Sequence, residues 1–422
     1  MKHIKFYLII IALIFCGNLY PQSFESVYSL YSKKDYFHFR DAVGRAGEFQ
    51  EAWQKPFLRA LSECIFADFS SSAGKISSLM NDYPQAIPDS LMKELYENKY
   101  YDHIFRFEYA DAGDACNILI TKYKKYLNQD EAENFPDEAE MLKSLKDIPK
   151  QEILKSGDVK IKIQKDMAGL WRTPVTINDT NVSFVFDTGA DFSVIVESLA
   201  KRLGVKMTGD EFKVGTATDK KVLSRVGVLD EFKIGDITMK NVVFYVMKDE
   251  DFTFGPYKIE GIIGAPVIRA FGEISFTKNN EVIIPDIPAA GTLKNFAYDG
   301  YSPVIQVIYN KDSLNFLFDS GNNSVQLFAP FFEKYKSFVT DNYKLQKLET
   351  GGAGGVIETD GYVLDNILLS SGNSSAELKN ISLMIKPLSE FQKYFHGNLG
   401  QGYFSRFDTL TMNFKNMYIE FK

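Results

Sequence analysis

Histidine and cysteine, common ligands of transition metals in proteins, are scarce in this 422-residue sequence. The histidines have no paired spacing, and the sequence contains no HExxH segment. The glycine-rich nucleotide-binding phrases and the GxSxG phrase of serine hydrolases are absent as well. The sequence therefore predicts a protein that works without a metal or a cofactor. The four histidines are His3, His38, His103 and His396.

The cysteines are too few for a small fold held together by disulfides. Beyond the N-terminal segment only Cys64 and Cys116 occur, and both lie in patterns typical of amphipathic helices. The sequence predicts either one disulfide between them or two buried free thiols.

Positive charge is not concentrated anywhere in the chain. The formal net charge is −7, and it falls to about −9 if Lys2 and Lys5 are removed with the N-terminal segment. An acidic chain without a Lys/Arg block gives no reason to expect a nucleic-acid partner.

Residues 1–22 have the layout of a secretory signal peptide. Two lysines precede an apolar run from Phe6 to Phe15, and turn-forming residues follow. The run is short for a membrane span. We therefore predict export to the periplasm or the exterior. A retained N-terminal anchor, or a lipid on Cys16 despite the bulky Phe15 before it, would instead leave the protein associated with a membrane.

Residues 23–150 are predicted to form a helical domain. Apolar residues recur there at three- and four-residue steps, as in Phe57, Leu61, Cys64 and Ile65. Two dipeptides also repeat 65 and 66 residues apart, about twice the tetratricopeptide period, which favours stacked helical hairpins. The alternative is an irregular helical domain that only packs against its neighbour. The repeated dipeptides are Leu30-Tyr31 with Leu95-Tyr96, and Ala46-Gly47 with Ala112-Gly113.

Beyond residue 155 the pattern alternates as in strands, and one phrase is written twice. Residues 184–189 read FVFDTG, and residues 316–321 read FLFDSG. Further landmarks repeat in the same order, among them 261–264 (GIIG) and 397–400 (GNLG), which lie 74 and 78 residues after the respective aspartates. We infer two homologous all-β lobes, 155–285 and 300–422, related by a pseudo-twofold axis. The predicted fold class is therefore α+β multidomain.

Asp187 and Asp319 each end an apolar strand and begin a tight glycine-containing turn. If the two turns meet across the axis, the carboxylates face each other. Two full charges about 4 Å apart repel by roughly 4 kcal/mol at an effective dielectric near 20, so the pair should share one proton. Such a pair can activate a water molecule for attack on a peptide carbonyl.

The extended phrase from Phe186 to Ile195, with the glycine segment downstream, resembles the active-site loop of retropepsin-like aspartic proteases. The duplication resembles a single-chain, two-lobed version on the pepsin-like plan, of a secreted bacterial type. The resemblance implies an aspartic endopeptidase acting as a monomer on peptide or protein substrates. It covers about 155–422.

Carried over to this sequence, the resemblance implies a role for each matching residue. The catalytic pair is Asp187 and Asp319, supported by Thr188, Gly189, Ser320 and Gly321. Gly264 and Gly400 are turns that buttress the loops. Ala190 and Asp191 lie where the family contacts substrate main chain, and two glycine-rich flap tips are expected at 214–218 and 351–355, around Gly215 and Gly352.

The second lobe departs from the pattern. Asn322-Asn323 stand where the first lobe has Ala190-Asp191, and Asn398 replaces an apolar residue of the glycine segment. Two alternatives to the monomeric protease follow: a degenerate second lobe in a peptide-binding or scaffold protein, or a homodimer that uses the first lobe only. The helical domain could bind a protein partner or substrate, act as an inhibitory segment or only stabilise the chain.

The hydroxyl position of the first loop also differs. Ala190 has no hydroxyl to offer the pair, so we expect its pKa to be less depressed than in family members with Ser or Thr there.

Overall fold

A computed structural model describes residues 23–215, 221–352 and 355–422. The predicted signal peptide, 1–22, lies outside the described residues. Among the residues described, no helix is both long and apolar enough to cross a membrane.

The N-terminal part of the described chain is helical. Ser23 caps the first helix by accepting the Ser26 N–H, and Asn128 and Glu131 form a capping box at the start of the seventh. The helices of this helical region are α1 (Phe24–Ser32), α2 (Tyr36–Arg45), α3 (Gln54–Ile65), α4 (Phe69–Asp82), α5 (Asp89–Phe105), α6 (Tyr109–Thr121) and α7 (Gln129–Leu145).

The first six helices form three hairpins with the same turn. Lys34, Ala67 and Phe107 each adopt a positive φ between paired helices. In each turn the next residue's N–H bonds to a carbonyl five residues back, at 2.8 to 2.9 Å. The turns are 33 and 40 residues apart, so the dipeptide repeats at offsets 65 and 66 do not mark structurally equivalent positions. Leu30 lies in the last turn of α1, whereas Leu95 lies in the middle of α5.

Cys64 in α3 and Cys116 in α6 are both buried free thiols. Their Sγ atoms lie against the carbonyls of Asn98, at 3.7 Å, and of Phe135, at 3.3 Å. The sequence predicted either one disulfide or two buried free thiols, and the structure shows two free thiols.

The chain then becomes β-rich, in the α+β order predicted. The first half of this β region builds a nine-stranded sheet in which β12 runs parallel to β5 and antiparallel to β6. Its elements are β1 (Glu152–Leu154), β2 (Val159–Lys162), β3 (Gln164–Lys165), β4 (Trp171–Ile177), β5 (Thr180–Phe186), β6 (Ser193–Val196), α8 (Glu197–Arg202), β7 (Lys206–Gly215), β8 (Lys221–Ile234), β9 (Ile237–Met247), β10 (Thr253–Phe254), β11 (Tyr257–Lys258), β12 (Gly261–Ile263), α9 (Ala265–Ala270), β13 (Glu273–Thr277) and β14 (Glu281–Ile284).

The second half builds an eight-stranded sheet with the same local pairing, since β22 runs parallel to β17 and antiparallel to β18. Its elements are β15 (Phe296–Asp299), β16 (Ser302–Tyr309), β17 (Asp312–Phe318), β18 (Val325–Leu327), α10 (Ala329–Lys334), α11 (Lys336–Asn342), β19 (Gln346–Gly352), β20 (Gly355–Ser371), β21 (Ser374–Met384), β22 (Gly397–Leu399), α12 (Gln401–Phe404), β23 (Thr409–Asn413) and β24 (Tyr418–Phe421). Short 3-10 helices lie at Lys124–Tyr126, Asp249–Phe252 and Phe391–Lys393.

A third sheet joins the two halves, in the order β2-β14-β13-β23-β24. Strand β13 pairs with β23 over five residues, from Glu273 with Asn413 to Thr277 with Thr409. The backbone hydrogen bonds of this sheet hold the halves in one relative position, so loops at their junction are set against each other.

The helical region packs against both halves. Phe105, Phe135 and Met141 share a core with the first half, while Phe57 and Leu95 share one with Val304 and Phe395 of the second half.

A half-buried arginine, Arg269, connects α9 to this interface. Arg269 donates to the Phe105 carbonyl at 3.0 Å and lies 4.0 Å from the Phe105 ring centroid. Burial lowers its pKa to about 10. The helices are thereby fixed beside the loop that carries Asp187.

Candidate active site

The two aspartates follow equivalent strands. Asp187 follows β5 and donates its N–H to the Ile263 carbonyl of β12, at 3.0 Å. Asp319 follows β17 and donates its N–H to the Leu399 carbonyl of β22, at 3.1 Å. Each carboxylate also accepts the N–H of the glycine two residues on, at 2.9 Å for Asp187 and 2.7 Å for Asp319. Sheet pairing and the tight turn therefore fix both carboxylates.

Thr188 and Ser320 tie the two loops together. The Thr188 N–H donates to Ser320 Oγ at 3.0 Å, and the Ser320 N–H donates to Thr188 Oγ1 at 3.0 Å. The Ser320 hydroxyl donates in turn to the Phe186 carbonyl at 3.2 Å. Both side chains are buried, so the bonds are shielded from competing water.

Each carboxylate lies over the glycine of the opposite loop. A Cβ placed on Gly189 would lie 2.9 Å from Asp319 Cγ, and one placed on Gly321 would lie 2.5 Å from Asp187 Cγ. No side chain fits at either glycine without displacing a carboxylate. Asp187 and Asp319, from opposite halves of the β region, thus share one site.

The pair holds a proton more tightly than isolated aspartates do. Burial, followed by the charge of Asp319, raises the pKa of Asp187 well above its usual value. Burial also raises the pKa of Asp319, but hydrogen bonds from Gly321 and from its neighbours oppose that rise. Both shifts favour retention of one proton by the pair, and the hydrogen bonds from Gly321 and Asn398 favour the ionised form of Asp319.

Gly264 and Gly400 lie directly beneath the loops. A Cβ on Gly264 would lie 2.5 Å from the Phe192 carbonyl oxygen, and one on Gly400 would lie 2.3 Å from the Asn322 carbonyl oxygen. Ala265 and Gln401, which follow them, donate their N–H groups to Ala190 at 2.9 Å and Asn322 at 2.7 Å. The glycine segments are therefore packed against the backbone of the aspartate loops.

Asn398 contacts Asp319, a role that the sequence did not predict, since this residue stood out there only as a departure from the apolar glycine segment. Asn398 lies opposite Leu317 in β17, as Ile262 lies opposite Val185 in β5. Its side chain hydrogen-bonds Asp319 and lowers that residue's pKa. The sequence signal for this contact was a polar residue, Asn398, in the short glycine segment that is otherwise apolar. This segment pairs with the strand that leads to Asp319.

Ala190 and Asp191 are adjacent in the sequence but lie in different surroundings. The Ala190 carbonyl accepts from Ala265, which keeps Ala190 in the loop beneath the pair. Asp191 lines a cavity between the β region and the helices, together with Glu138 of α7. Burial raises the pKa of each of these carboxyl groups to about 7, and for Glu138 the charge of Asp191 adds to the effect.

The asparagines of the second loop serve its local structure. Asn322 Oδ1 accepts from the Ser324 N–H and hydroxyl, both at 2.9 Å. Asn323 reaches across to the first half and donates to the Ala168 carbonyl at 3.3 Å. The site accordingly has a carboxylate, Asp191, beside one loop and amides beside the other.

The two flap candidates lie at hairpin ends. Gly215 pairs with Lys221 at the end of β7 and β8, and residues 216–220 lie outside the described part of the chain. Gly352 pairs with Gly355 at the end of β19 and β20, and residues 353–354 are likewise not described. The first hairpin is attached to α7, because Asp137 accepts from the Lys213 N–H at 3.3 Å and from Lys221 Nζ at 3.1 Å.

One group in the described part of the chain has metal-ligand geometry. His103, Glu108 and Asp111 bring their ligand atoms within 4.8 Å of one another. Glu108, however, already pairs with Arg106 at 2.9 Å and with Lys150 at 2.6 Å. Two cations at the same carboxylate disfavour a third, and this group lies on the helical region.

Comparison with known proteins gives one family match. A family model described as aspartyl protease matches residues 173–267, the stretch that carries Asp187. A search of curated proteins finds no match.

Several solved structures are similar at low identity. Conglutin gamma, a basic 7S globulin from lupine seeds, is 9% identical with a TM-score of 0.40 over 63% of this chain and 94% of that one. The basic 7S globulin from soybean is 10% identical with a TM-score of 0.39 over 64% and 95%. A retropepsin-like aspartic protease from Rickettsia conorii is 19% identical with a TM-score of 0.22 over 32% and 91%. Scores this low carry no conclusion about function.

Proposed function

We propose that this protein is an aspartic endopeptidase, and that Asp187 and Asp319 activate the water that hydrolyses the peptide bond. The observation that carries the proposal is the reciprocal placement of the carboxylates, each over the glycine of the opposite loop. Buried paired carboxylates sharing one proton are suited to general acid and base catalysis. The two halves of the β region are then two copies of one ancestral lobe, related by a pseudo-twofold axis.

We assign the ionised role to Asp319, whose carboxylate is hydrogen-bonded by Gly321 and Asn398, and the protonated role to Asp187. Ionised Asp319 takes a proton from a water held between the carboxylates as the water oxygen attacks the peptide carbonyl carbon. Protonated Asp187 donates its proton to the carbonyl oxygen, giving a tetrahedral diol. Collapse of the diol breaks the C–N bond. The amine nitrogen takes the proton that Asp319 holds, and one hydroxyl proton of the diol passes to Asp187. No metal or covalent intermediate takes part in these steps.

The arrangement favours the monomeric form of the proposal. Asp187 finds its partner carboxylate within the same chain, so a second copy is not required. We propose that the protein is exported, as its N-terminal segment predicts, and acts on peptides in the periplasm or outside the cell.

The test is separate replacement of the two aspartates by asparagine, assayed on a mixed peptide library from pH 3 to 8. Asp187→Asn and Asp319→Asn should each lower kcat/KM by about 10²- to 10⁴-fold, the usual contribution of a general acid or base. Asp365→Asn, at an exposed position of β20, is the matched control and should cleave like the natural protein. Activity that survives Asp319→Asn would refute the dyad mechanism and favour the scaffold or homodimer alternative.

A further inference from the structure

A cavity of about 500 Å³ lies between the helical region and the β region. Helices α1, α5 and α7 form one side, while Asp191 and the turn from Tyr298 to Ser302 form the other. Asp191, four residues after Asp187, is the residue of this loop that lines the cavity, and its charge acts on the Asp187 carboxyl. The walls of the cavity come from segments far apart in the chain, so it exists only while the helical region is docked.

The lining of the cavity is strongly acidic, with eight carboxylate side chains and two lysines. Both lysines are committed to other carboxylates. Lys34 Nζ lies 2.5 Å from Asp299, and Lys93 Nζ lies 2.6 Å from Glu97 and 2.7 Å from Glu131. With two lysines among eight carboxylates, the lining as a whole carries an excess of negative charge.

Glu138 and Asp191 are the carboxylates that lack a cationic partner among the described residues. Glu138 receives a hydrogen bond from Tyr100, but its Oε2 atom is buried and has no partner within the described chain. Asp191 is exposed by its accessible surface, but it lies among the residues that line the cavity, and desolvation there raises its pKa. A buried carboxylate without a partner is costly, and a bound cation would remove that cost.

Aromatic side chains complete the cavity. Tyr28, Tyr31, Tyr101 and Tyr301 contribute to its walls. Rings of this kind pack against alkyl chains and attract cations through their faces. The combination of acid and aromatic surface selects an organic cation over a hydrated metal ion, which prefers a shell of oxygen ligands.

We propose that this cavity is a specificity subsite that binds an alkylammonium or guanidinium group of the peptide substrate between Glu138 and Asp191. The proposal rests on the proposed function, and it deepens it by naming the substrate class. The cation has two sources in a peptide: a lysine or arginine side chain, or the free amino group at the N-terminus. In either case the helical region supplies part of the substrate site.

The first experiment measures cleavage by the full-length protein. Pairs of peptides differ only in lysine or its uncharged analogue norleucine at each position, with free or acetylated N-termini. The natural protein should prefer the cationic member of a pair at least tenfold in kcat/KM, and Glu138→Gln should reduce that ratio severalfold or more. Glu140→Gln, on the same helix but outside the cavity and paired with Lys143 at 3.4 Å, should leave the ratio unchanged. Equal cleavage of charged and uncharged peptides by the natural protein would overturn the subsite while leaving the protease intact.

The second experiment measures binding without cleavage. Nα-acetyl-lysine amide presents only a side-chain cation, leucine amide only an α-amine, and Nα-acetyl-leucine amide neither. Calorimetry at pH 8 should detect one or both cationic probes at least fivefold tighter than the neutral one, with Glu138→Gln removing the difference. The probe that binds identifies the source of the cation. Equal binding of all three would overturn the subsite.

The two experiments distinguish failure of the proposed protease activity from failure of the proposed cationic subsite. If the natural protein cleaves no peptide but binds a cationic probe through Glu138, the subsite stands and the proposed protease activity fails. If it cleaves peptides but shows neither charge preference nor selective binding, the activity stands and the subsite fails.

Discussion

Thr188 and Ser320 exchange backbone N–H to hydroxyl hydrogen bonds, each 3.0 Å long, across the junction of the two halves. Neither bond can form within one half alone. Together they fix the separation of the loops that carry Asp187 and Asp319. The tie thereby couples the packing of the halves to the geometry of the proposed catalytic pair.

Replacing Ser320 with alanine should weaken both stability and activity. The change leaves the Thr188 N–H buried without an acceptor, which costs about 1–3 kcal/mol. We expect a lower urea midpoint and a lower kcat for Ser320→Ala. Ser320→Thr keeps the hydroxyl and reproduces the residue of the first loop, so it should restore most of both losses. A Ser320→Thr variant as impaired as Ser320→Ala would show that the side-chain volume, and not the hydrogen bonds, matters at this position.

The proposed catalytic pair could be read from the sequence because its determinants are local. A strand, an aspartate and a tight glycine turn are specified within six residues, and the phrase occurs twice. The glycine segments also occur in both halves, and β12 and β22 lie beside β5 and β17 at equivalent registers.

The contribution of the helices to the candidate site could not be predicted from local sequence patterns. Glu138 and Asp191 line the same cavity only because α7 packs beside the first half. No local sequence pattern indicates which face of a helix contacts which loop. The five-stranded sheet that joins the halves is similarly non-local, since β13 and β23 lie more than 130 residues apart. The helical hairpins predicted from the dipeptide repeats are present, but their shared feature is a positive-φ turn rather than a common dipeptide.

Alanine at Gly321 should lower the rate of cleavage on the order of 100-fold, with little loss of folding. Its Cβ would lie 2.5 Å from Asp187 Cγ, so the carboxylate must move, and displacement of a reacting group by about 1 Å costs on the order of 100-fold in rate. Gly189→Ala should act in the same way on Asp319. Gly74→Ala, in the middle of α4 with nothing within 4 Å, is the control. It should stabilise the protein by about 0.5–1 kcal/mol and leave kcat unchanged. Full activity in Gly321→Ala would contradict the close approach of the loops.

Replacing Asn398 with leucine should move the acid limb of the pH–rate profile to higher pH. The asparagine side chain stabilises ionised Asp319, and a hydrogen bond to a charged group is worth about 1.5–3 kcal/mol. Its loss should raise the lower apparent pKa of the pair by about one to two units. The matched control is Ile262→Leu, at the equivalent position of the first half, which should leave the profile in place. An unshifted limb in Asn398→Leu would mean that Asn398 has only a packing role.

A hydroxyl at position 190 should have the opposite effect. The Ala190 N–H faces the Asp187 backbone carbonyl at 3.4 Å, so the residue adjoins the pair without offering its carboxylates a side-chain donor. A serine there can donate to the ionised pair, which lowers its pKa. Ala190→Ser should therefore shift the acid limb of the pH–rate profile to lower pH, by about half a unit to one unit. The comparison of Ala190→Thr with Ala190→Val separates the hydroxyl from the added volume, because the two side chains have nearly the same shape. Equal profiles for these two variants would exclude hydrogen bonding from position 190 as a determinant of the pKa of the pair.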